Sequence, residues 1–356
     1  MRLPGEHGMS VGPAETVLAH AGPAVPPRPA AGTTGRPAGA PSLGLGPHAQ
    51  AERFGMSRDT LQTFYVKFSE FCACKVHVLS AESFMPGFEL DWNYVAALNA
   101  PQGAPGCWGY KDVVHIFWLN CPAHERAQST GKLGMPTVAF NCCAIPGRCI
   151  VHVGEPQAGA RNDKTISRLD AWLHEMRTSD AMRNFEYELR DVDGNLVICK
   201  GAWFLVDGGY HRWSDHICGY KHSTDAEKQA WSKRMESLRK AIECCFGELK
   251  KKFLVLRGVR AQTAEGVEQI FKMCVVLHRA QKFFDGYFSF KEEDMVDAPL
   301  HLDAQRIALA QAEQAAEEHG DDDGETEEHN DFEQRRSNLV TNYSWMVTNG
   351  KVKWLQ

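Results

Sequence analysis

An α/β protein is what this sequence predicts: a mixed sheet flanked by helices. Between residues 105 and 290, short apolar runs bounded by turn residues alternate with longer stretches whose apolar side chains recur at steps of three and four. With 43% of 356 residues hydrophobic and 24% charged, a packed core can form. Three carboxylates set into those apolar elements are the most informative positions. Asp112 precedes Val113–Trp118, Asp207 closes Trp203–Val206 ahead of Gly208-Gly209, and Glu243 lies in a long amphipathic pattern. A carboxylate beside a strand core is costly unless something compensates for its lost hydration. Two on strands and one on a helix suit a cage for Mg²⁺ ions that perform phosphoryl-transfer chemistry.

The elements follow in order. Residues 1–50 hold nine Pro, nine Gly and nine Ala without periodicity and are expected to be disordered; a transit peptide or an over-extended start codon are alternatives. Residues 51–104 form a helical segment. Ser57 is placed to cap a helix with Leu61, Phe64, Tyr65, Phe68 and Phe71 on one face. Phe54-Gly55-Met56-Ser57 resembles the turn of a helix-turn-helix, but the Pro/Gly/Ala tract stands where the preceding helix belongs. The segment therefore reads as a remnant, with a helix that packs on the next domain.

Residues 105–290 form the α/β domain. Tyr110–Trp118, Thr137–Ala144 and Cys149–Val153 read as strands. A helix over Lys164–Met176 follows, with Ile166, Leu169, Trp172 and Leu173 on one face and Asp163 as its cap. Phe185–Val192 and Leu196–Cys199 flank the hairpin signal Asp193-Gly194. The strand Ala202–Val206 leads to Asp207. Helices over Ala226–Phe253 and Gly266–Leu277 complete the domain. Residues 291–356 read as a helix over 303–318, a disordered acidic linker over Asp321–Asp331, and an aromatic tail from Leu339 that folds back.

The net charge of −6 conceals an asymmetry. Glu313–Glu333 contains eleven acidic residues and no Lys or Arg, so the remainder is mildly basic, which permits a DNA partner. The twelve cysteines include two adjacent pairs and several members of apolar runs, so they do not make a disulfide framework. Reduced thiols in the cytosol or nucleus are expected, and no membrane-spanning run is present.

Three strands, a helix, a strand and a long helix is the order of an RNase H-like fold. The residues also resemble a family. Gly109-Tyr110-Lys111-Asp112-Val113-Val114-His115 looks like the first catalytic block of Harbinger-type DDE transposases. Trp118-Leu119-Asn120-Cys121-Pro122 fits the branch called plant transposon proteins. Gly159-Ala160-Arg161-Asn162-Asp163 resembles a block that usually carries His-Asp-Ser. Leu205-Val206-Asp207-Gly208-Gly209-Tyr210 resembles the second catalytic block, and Arg239 to Lys250, with Glu243 inside it, the third. The resemblance covers roughly residues 54 to 290. Three departures stand out: Leu277-His278-Arg279 replaces Leu-His-Asn, Asn162 replaces a His, and the N-terminal helices are incomplete. They bear on full transposition more than on fold.

The resemblance implies a metal-dependent nuclease. Asp112, Asp207 and Glu243 would hold two Mg²⁺ or Mn²⁺ ions that activate a water or a 3′-hydroxyl for attack on a phosphodiester. Lys250, Lys251, Lys252 and Arg257 follow Glu243 and could neutralise phosphates of double-stranded DNA, or be a solvated helix end. Arg239 either orients Glu243 or touches phosphate. His115 has the opposite strand parity from Asp112 and reads as structural, and Asp163 as a helix cap rather than a fourth ligand. His211, His216, Cys218 and His222 follow no standard zinc spacing and read as a polar loop, with a bound zinc as the alternative. The implied setting is nuclear, with a Myb-like helper protein, no membrane, and oligomerisation left open. The alternative is a domesticated, inactive descendant that keeps the fold for DNA or protein binding.

Overall fold

The structure is a computed structural model, and it describes residues 47–75, 91–284 and 327–353. The tract before residue 47, the helix expected over 303–318, residues 321–326 of the acidic linker and Trp354 lie outside the described residues.

The N-terminal segment differs from expectation, because a helix does precede the turn. α1 (Pro47–Phe54) ends at Gly55, whose φ of +60° lets Met56 N donate to Ala51 O at 3.0 Å. α2 (Arg58–Lys75) then starts under the Ser57 cap, with Thr60 N donating to Ser57 Oγ at 3.0 Å. Leu61 and Cys72 are buried, whereas Phe64 and Phe71 stay exposed, so the apolar face is narrower than its periodicity implies. α2 packs along α9 (Ala264–Phe284).

α3 (Trp92–Asn99), capped by Asp91, lies within the segment read as helical. It leads into the main sheet, made of β1 (Cys107–Phe117), β2 (Thr137–Ile145), β3 (Cys149–Val153), β7 (Trp203–Leu205) and β8 (His216–Ile217), with the two-residue β4 (Gln157–Ala158) paired to β2. The order is β3-β2-β1-β7-β8. β1–β2 and β2–β3 are antiparallel; β1–β7 and β7–β8 are parallel. Alternation along the strands sorts side chains onto two faces. Tyr110, Val114, Trp203 and Leu205 join the core under α8 (Ala226–Lys252), whereas Trp108, Phe204 and Val206 join a second core. Asp112 shares its parity with Tyr110 and Val114, so it belongs to the α8 face.

Between β1 and β2 lies α4 (Arg126–Ser129). The single helix expected over Lys164–Met176 is instead two: α5 (Asp163–Arg168) and α6 (Ala171–Thr178). The break is made by Asp170, whose carboxylate accepts from Leu173 N at 3.2 Å and caps α6. Leu169 consequently lies exposed. A short α7 (Asp180–Arg183) precedes the hairpin β5 (Glu186–Arg190) and β6 (Leu196–Lys200), which pair antiparallel around the expected turn. α10 (Glu327–Thr348) corrects the linker boundary. The last acidic residues are helical because Phe332, Leu339, Val340 and Tyr343 on the same helix are buried against the domain.

One glycine lets the chain after β4 pass close to β2. A Cβ on Gly159 would overlap the Thr137 hydroxyl and stand 2.7 Å from both Ser129 O and Thr137 O. Gly159→Ala must push this segment off β2. An overpacking cost of roughly 1–3 kcal/mol is expected. Urea unfolding checks it, and an unchanged midpoint would mean that the loop yields freely.

Candidate active site

β1 and β7 are parallel neighbours, with Tyr110 opposite Leu205. That register sets Asp112, two residues on, beside Asp207, which follows the end of β7. α8 crosses the same face and presents Arg239 and Glu243 one turn apart. Arg239 is the cation at the centre. Its guanidinium stands 2.9 Å from Glu243, 3.0 Å from Glu236 and 3.6 Å from Asp112. Asp112 Oδ1 accepts from Val113 N at 2.9 Å, and Asp207 Oδ1 accepts from Gly209 N at 2.6 Å. The Gly-Gly that follows Asp207 thus fixes the rotamer of its carboxylate.

The electrostatics show how crowded the pocket is. Burial raises the Asp112 carboxyl well above the ordinary range; Arg239 pulls it down, and Asp207, Asp163 and Glu243 push it up. Arg239 is held firmly protonated: burial opposes its charge, but Asp112, Glu236 and Glu243 outweigh that. Tyr210 is raised by burial first and by Asp163, Asp112 and Asp207 after it. Asp163 is thus near enough to Asp112 and Tyr210 for its charge to act on both. It does not cap α5 as expected, because Asn162 Oδ1 takes that role, accepting from Thr165 N at 2.8 Å.

Among the described residues, no group of three or more His, Cys, Asp or Glu is set as a ligand cage. Arg239 supplies the positive charge that the carboxylates share. The donors are nonetheless hard oxygens, and the buried carboxylate among them is destabilised by its like-charged neighbours. That donor chemistry fits a divalent cation such as Mg²⁺ or Mn²⁺.

The basic residues separate. Lys250 is tied into the fold, with Nζ donating to His115 O at 2.9 Å across to β1. Lys251 and Arg257 are exposed, and Lys252 is half-buried. His115 turns from the acidic face, with Nδ1 3.1 Å from Thr137 Oγ1. Burial, then Lys250 and Lys132, lowers it to about 4.

The loop after Asp207 is polar, and among the described residues its histidines and Cys218 do not form a group of metal ligands. His211 stacks on Trp213 with ring centres 4.6 Å apart, and the buried His216 meets the same Trp213 ring edge-on at 5.1 Å. Here the sequence reading missed a buried network on the second face. Lys111, fully buried, lies 3.4 Å from His216 Nε2; His216 Nδ1 lies 2.9 Å from Asp215; Asp215 accepts from Arg177 Nε at 2.8 Å. Arg177 rests 3.7 Å above the Trp213 ring. Beside it, Asp170 takes bonds from His152 at 3.0 Å and Asn141 at 2.6 Å, and Asn141 accepts from Tyr210 at 3.1 Å. A lysine between Tyr110 and Asp112 in a strand was the signal, since its parity sends it into the opposite core.

These features define a mixed α/β protein carrying an acidic pocket between two parallel strands and a long helix. The family model for plant transposon proteins matches residues 90–281, more than half of the chain, and the chain belongs to that family. A protein of Shewanella baltica (strain OS195) described as an agmatine deiminase is 28% identical over 126 residues, which cover 35% of this chain. The chain spans about a third of that relative, since the match covers 32% of its length. No solved structure matches the chain.

Proposed function

We propose that this plant transposon protein is a Harbinger-type DDE transposase or endonuclease, with an RNase H-like domain that cleaves and joins DNA phosphodiesters. One observation carries the reading: carboxylates from β1 and α8 meet on one guanidinium, and the parallel β1–β7 register sets Asp207 beside the β1 carboxylate. That is the arrangement the resemblance implies for Asp112, Asp207 and Glu243, in a sheet that pairs antiparallel on one side of β1 and parallel on the other. The three residues would hold Mg²⁺ or Mn²⁺, with Asp163 close by. Bound, such ions supply Lewis acidity that activates the attacking oxygen and stabilises the leaving one. The chain's own part is to hold the carboxylates in place. Val113 N and Gly209 N fix two of them before any ion arrives, which lowers the cost of ordering the site. A nuclear setting and a Myb-like helper protein follow from the same reading.

The direct test is nicking of supercoiled plasmid by the purified chain with Mn²⁺ or Mg²⁺. Inactivity in both metals, with no metal binding by calorimetry, would favour the domesticated alternative. DNA affinity is a separate expectation. Lys251 and Arg257 are the exposed members of the basic run, so replacing both with Ala should reduce the slope of log K against log[salt] by roughly 2. Fluorescence anisotropy across a salt series measures this. An unchanged slope would place the DNA path elsewhere.

A further inference from the structure

We infer that Arg239 is a displaceable counter-ion of the acidic pocket, with Glu236 as its second seat, so that the guanidinium and a divalent cation compete for Asp112 and Glu243. The inference rests on the metal reading above and adds a residue, Glu236, that neither the sequence motifs nor that reading use. The geometry carries it. Three carboxylates compete for one guanidinium. Two of them, Asp112 and Glu243, belong to the proposed ligand set; the third, Glu236, lies one turn earlier on α8 and is about half exposed. Glu236 and Glu243 flank Arg239 at i−3 and i+4, so both are reachable from one Cα by small changes of rotamer.

The present seat also leaves a bond unmade. Arg239 Nε is buried and has no hydrogen-bond partner among the described residues. A buried donor without a partner disfavours the conformation that holds it there. A guanidinium that kept Glu236 and released Asp112 and Glu243 would free the carboxylate oxygens a metal needs. Without the ion, the same guanidinium prevents three like charges from facing one another, so it stabilises the empty pocket. Arg239 is thus a positioning residue whose role reverses when metal enters.

The experiment is Mn²⁺ titration calorimetry of the full chain and of Arg239→Gln, Glu236→Gln and the double variant, with thermal midpoints in EDTA and in Mn²⁺. Arg239→Gln should bind Mn²⁺ about tenfold more tightly, since a competing cation is gone, and its midpoint should fall in EDTA and recover in Mn²⁺. Glu236→Gln should bind Mn²⁺ several-fold more weakly, because the guanidinium loses its alternative seat. That effect should largely vanish in the Arg239→Gln background. Equal or weaker binding by Arg239→Gln, or an unchanged Kd in Glu236→Gln, overturns the inference while leaving the metal reading in place. If Arg239→Gln does not fold, Glu236→Gln at its exposed position decides alone. No Mn²⁺ binding by any of the four proteins overturns both.

Discussion

Asp207→Asn is expected to abolish metal-dependent cleavage, by ~10³-fold or more, while the chain stays folded. The size follows from the several kcal/mol of charge stabilisation that a hard-metal site supplies, each 1.4 kcal/mol being about a factor of ten. The Asn side chain keeps the shape and can still accept from Gly209 N, which the Asp207 carboxylate does at 2.6 Å. What it loses is the charge that holds a hard divalent cation. Asp112→Asn should lose activity as severely but should raise the thermal midpoint in EDTA. Burial, with three neighbouring acids, pushes the Asp112 carboxyl upward more than Arg239 pulls it down, so a neutral side chain suits the fold better there. Plasmid nicking and melting, run on the same preparations, separate the two effects. Nicking that persists in Asp207→Asn would move the chemistry out of this pocket.

The second large effect concerns stability. Asp215→Ala should destabilise the fold by about 3–5 kcal/mol, the usual cost of breaking a buried ion pair from one side. Asp215 sits at the meeting of Arg177 and His216, with the fully buried Lys111 beyond. Removing it takes from the Arg177 guanidinium its paired carboxylate and from the buried Lys111 ammonium a nearby negative charge. Asp215→Asn, which keeps one acceptor, should cost less. Urea unfolding measures both, and a loss below 1 kcal/mol for Asp215→Ala, the surface-pair range, would show that water or a rearrangement screens the network.

Acid should act on the same network. Burial, with Lys111 and Arg177 nearby, lowers His216 to about 4, and burial also lowers His152. At neutral pH His216 is therefore an uncharged imidazole whose Nδ1 proton is directed at Asp215. For each histidine the folded pKa lies below the unfolded value of about 6.5. The unfolded chain then binds more protons, so stability falls as pH drops from about 6.5 toward 4. Asp170, lowered to about 2 by His152, Lys111 and Asn141 against the opposing effect of burial, extends the loss below about pH 4. Urea midpoints at pH 7, 5.5 and 4.5 follow the histidine part, and a flat profile there would mean that the imidazoles protonate in place.

Much of the sheet was legible because strand periodicity and turn residues are local. β1, β2, β3, β7 and the β5–β6 hairpin lie where apolar runs and the Asp193-Gly194 turn put them, to within a few residues. Parity alone placed His115 away from the face of Asp112. The breaks in helices were less legible. Asp170 looks like one more polar position in an amphipathic pattern, and only its cap on Leu173 N and its pairing with His152 show why the helix stops there. α1 was hidden by the composition of the tract around it. The acidic end of the linker was hidden by its charge, which burial of Phe332 on the same helix overrides.

By itself, then, the sequence determined the kind of fold and which acids deserved notice. Both depend on patterns within a few residues, where apolar spacing and the cost of a carboxylate beside a strand core act directly. Only the tertiary structure decided how those acids are balanced. Asp112 comes from β1, Asp163 from α5, Asp207 from the end of β7, and Glu236, Arg239 and Glu243 from α8. Tertiary folding likewise gave Lys111 a partner on the opposite face. Charges interact through space at a few ångströms, and which of them meet is set by sheet register and helix placement, quantities that no stretch of neighbouring residues contains.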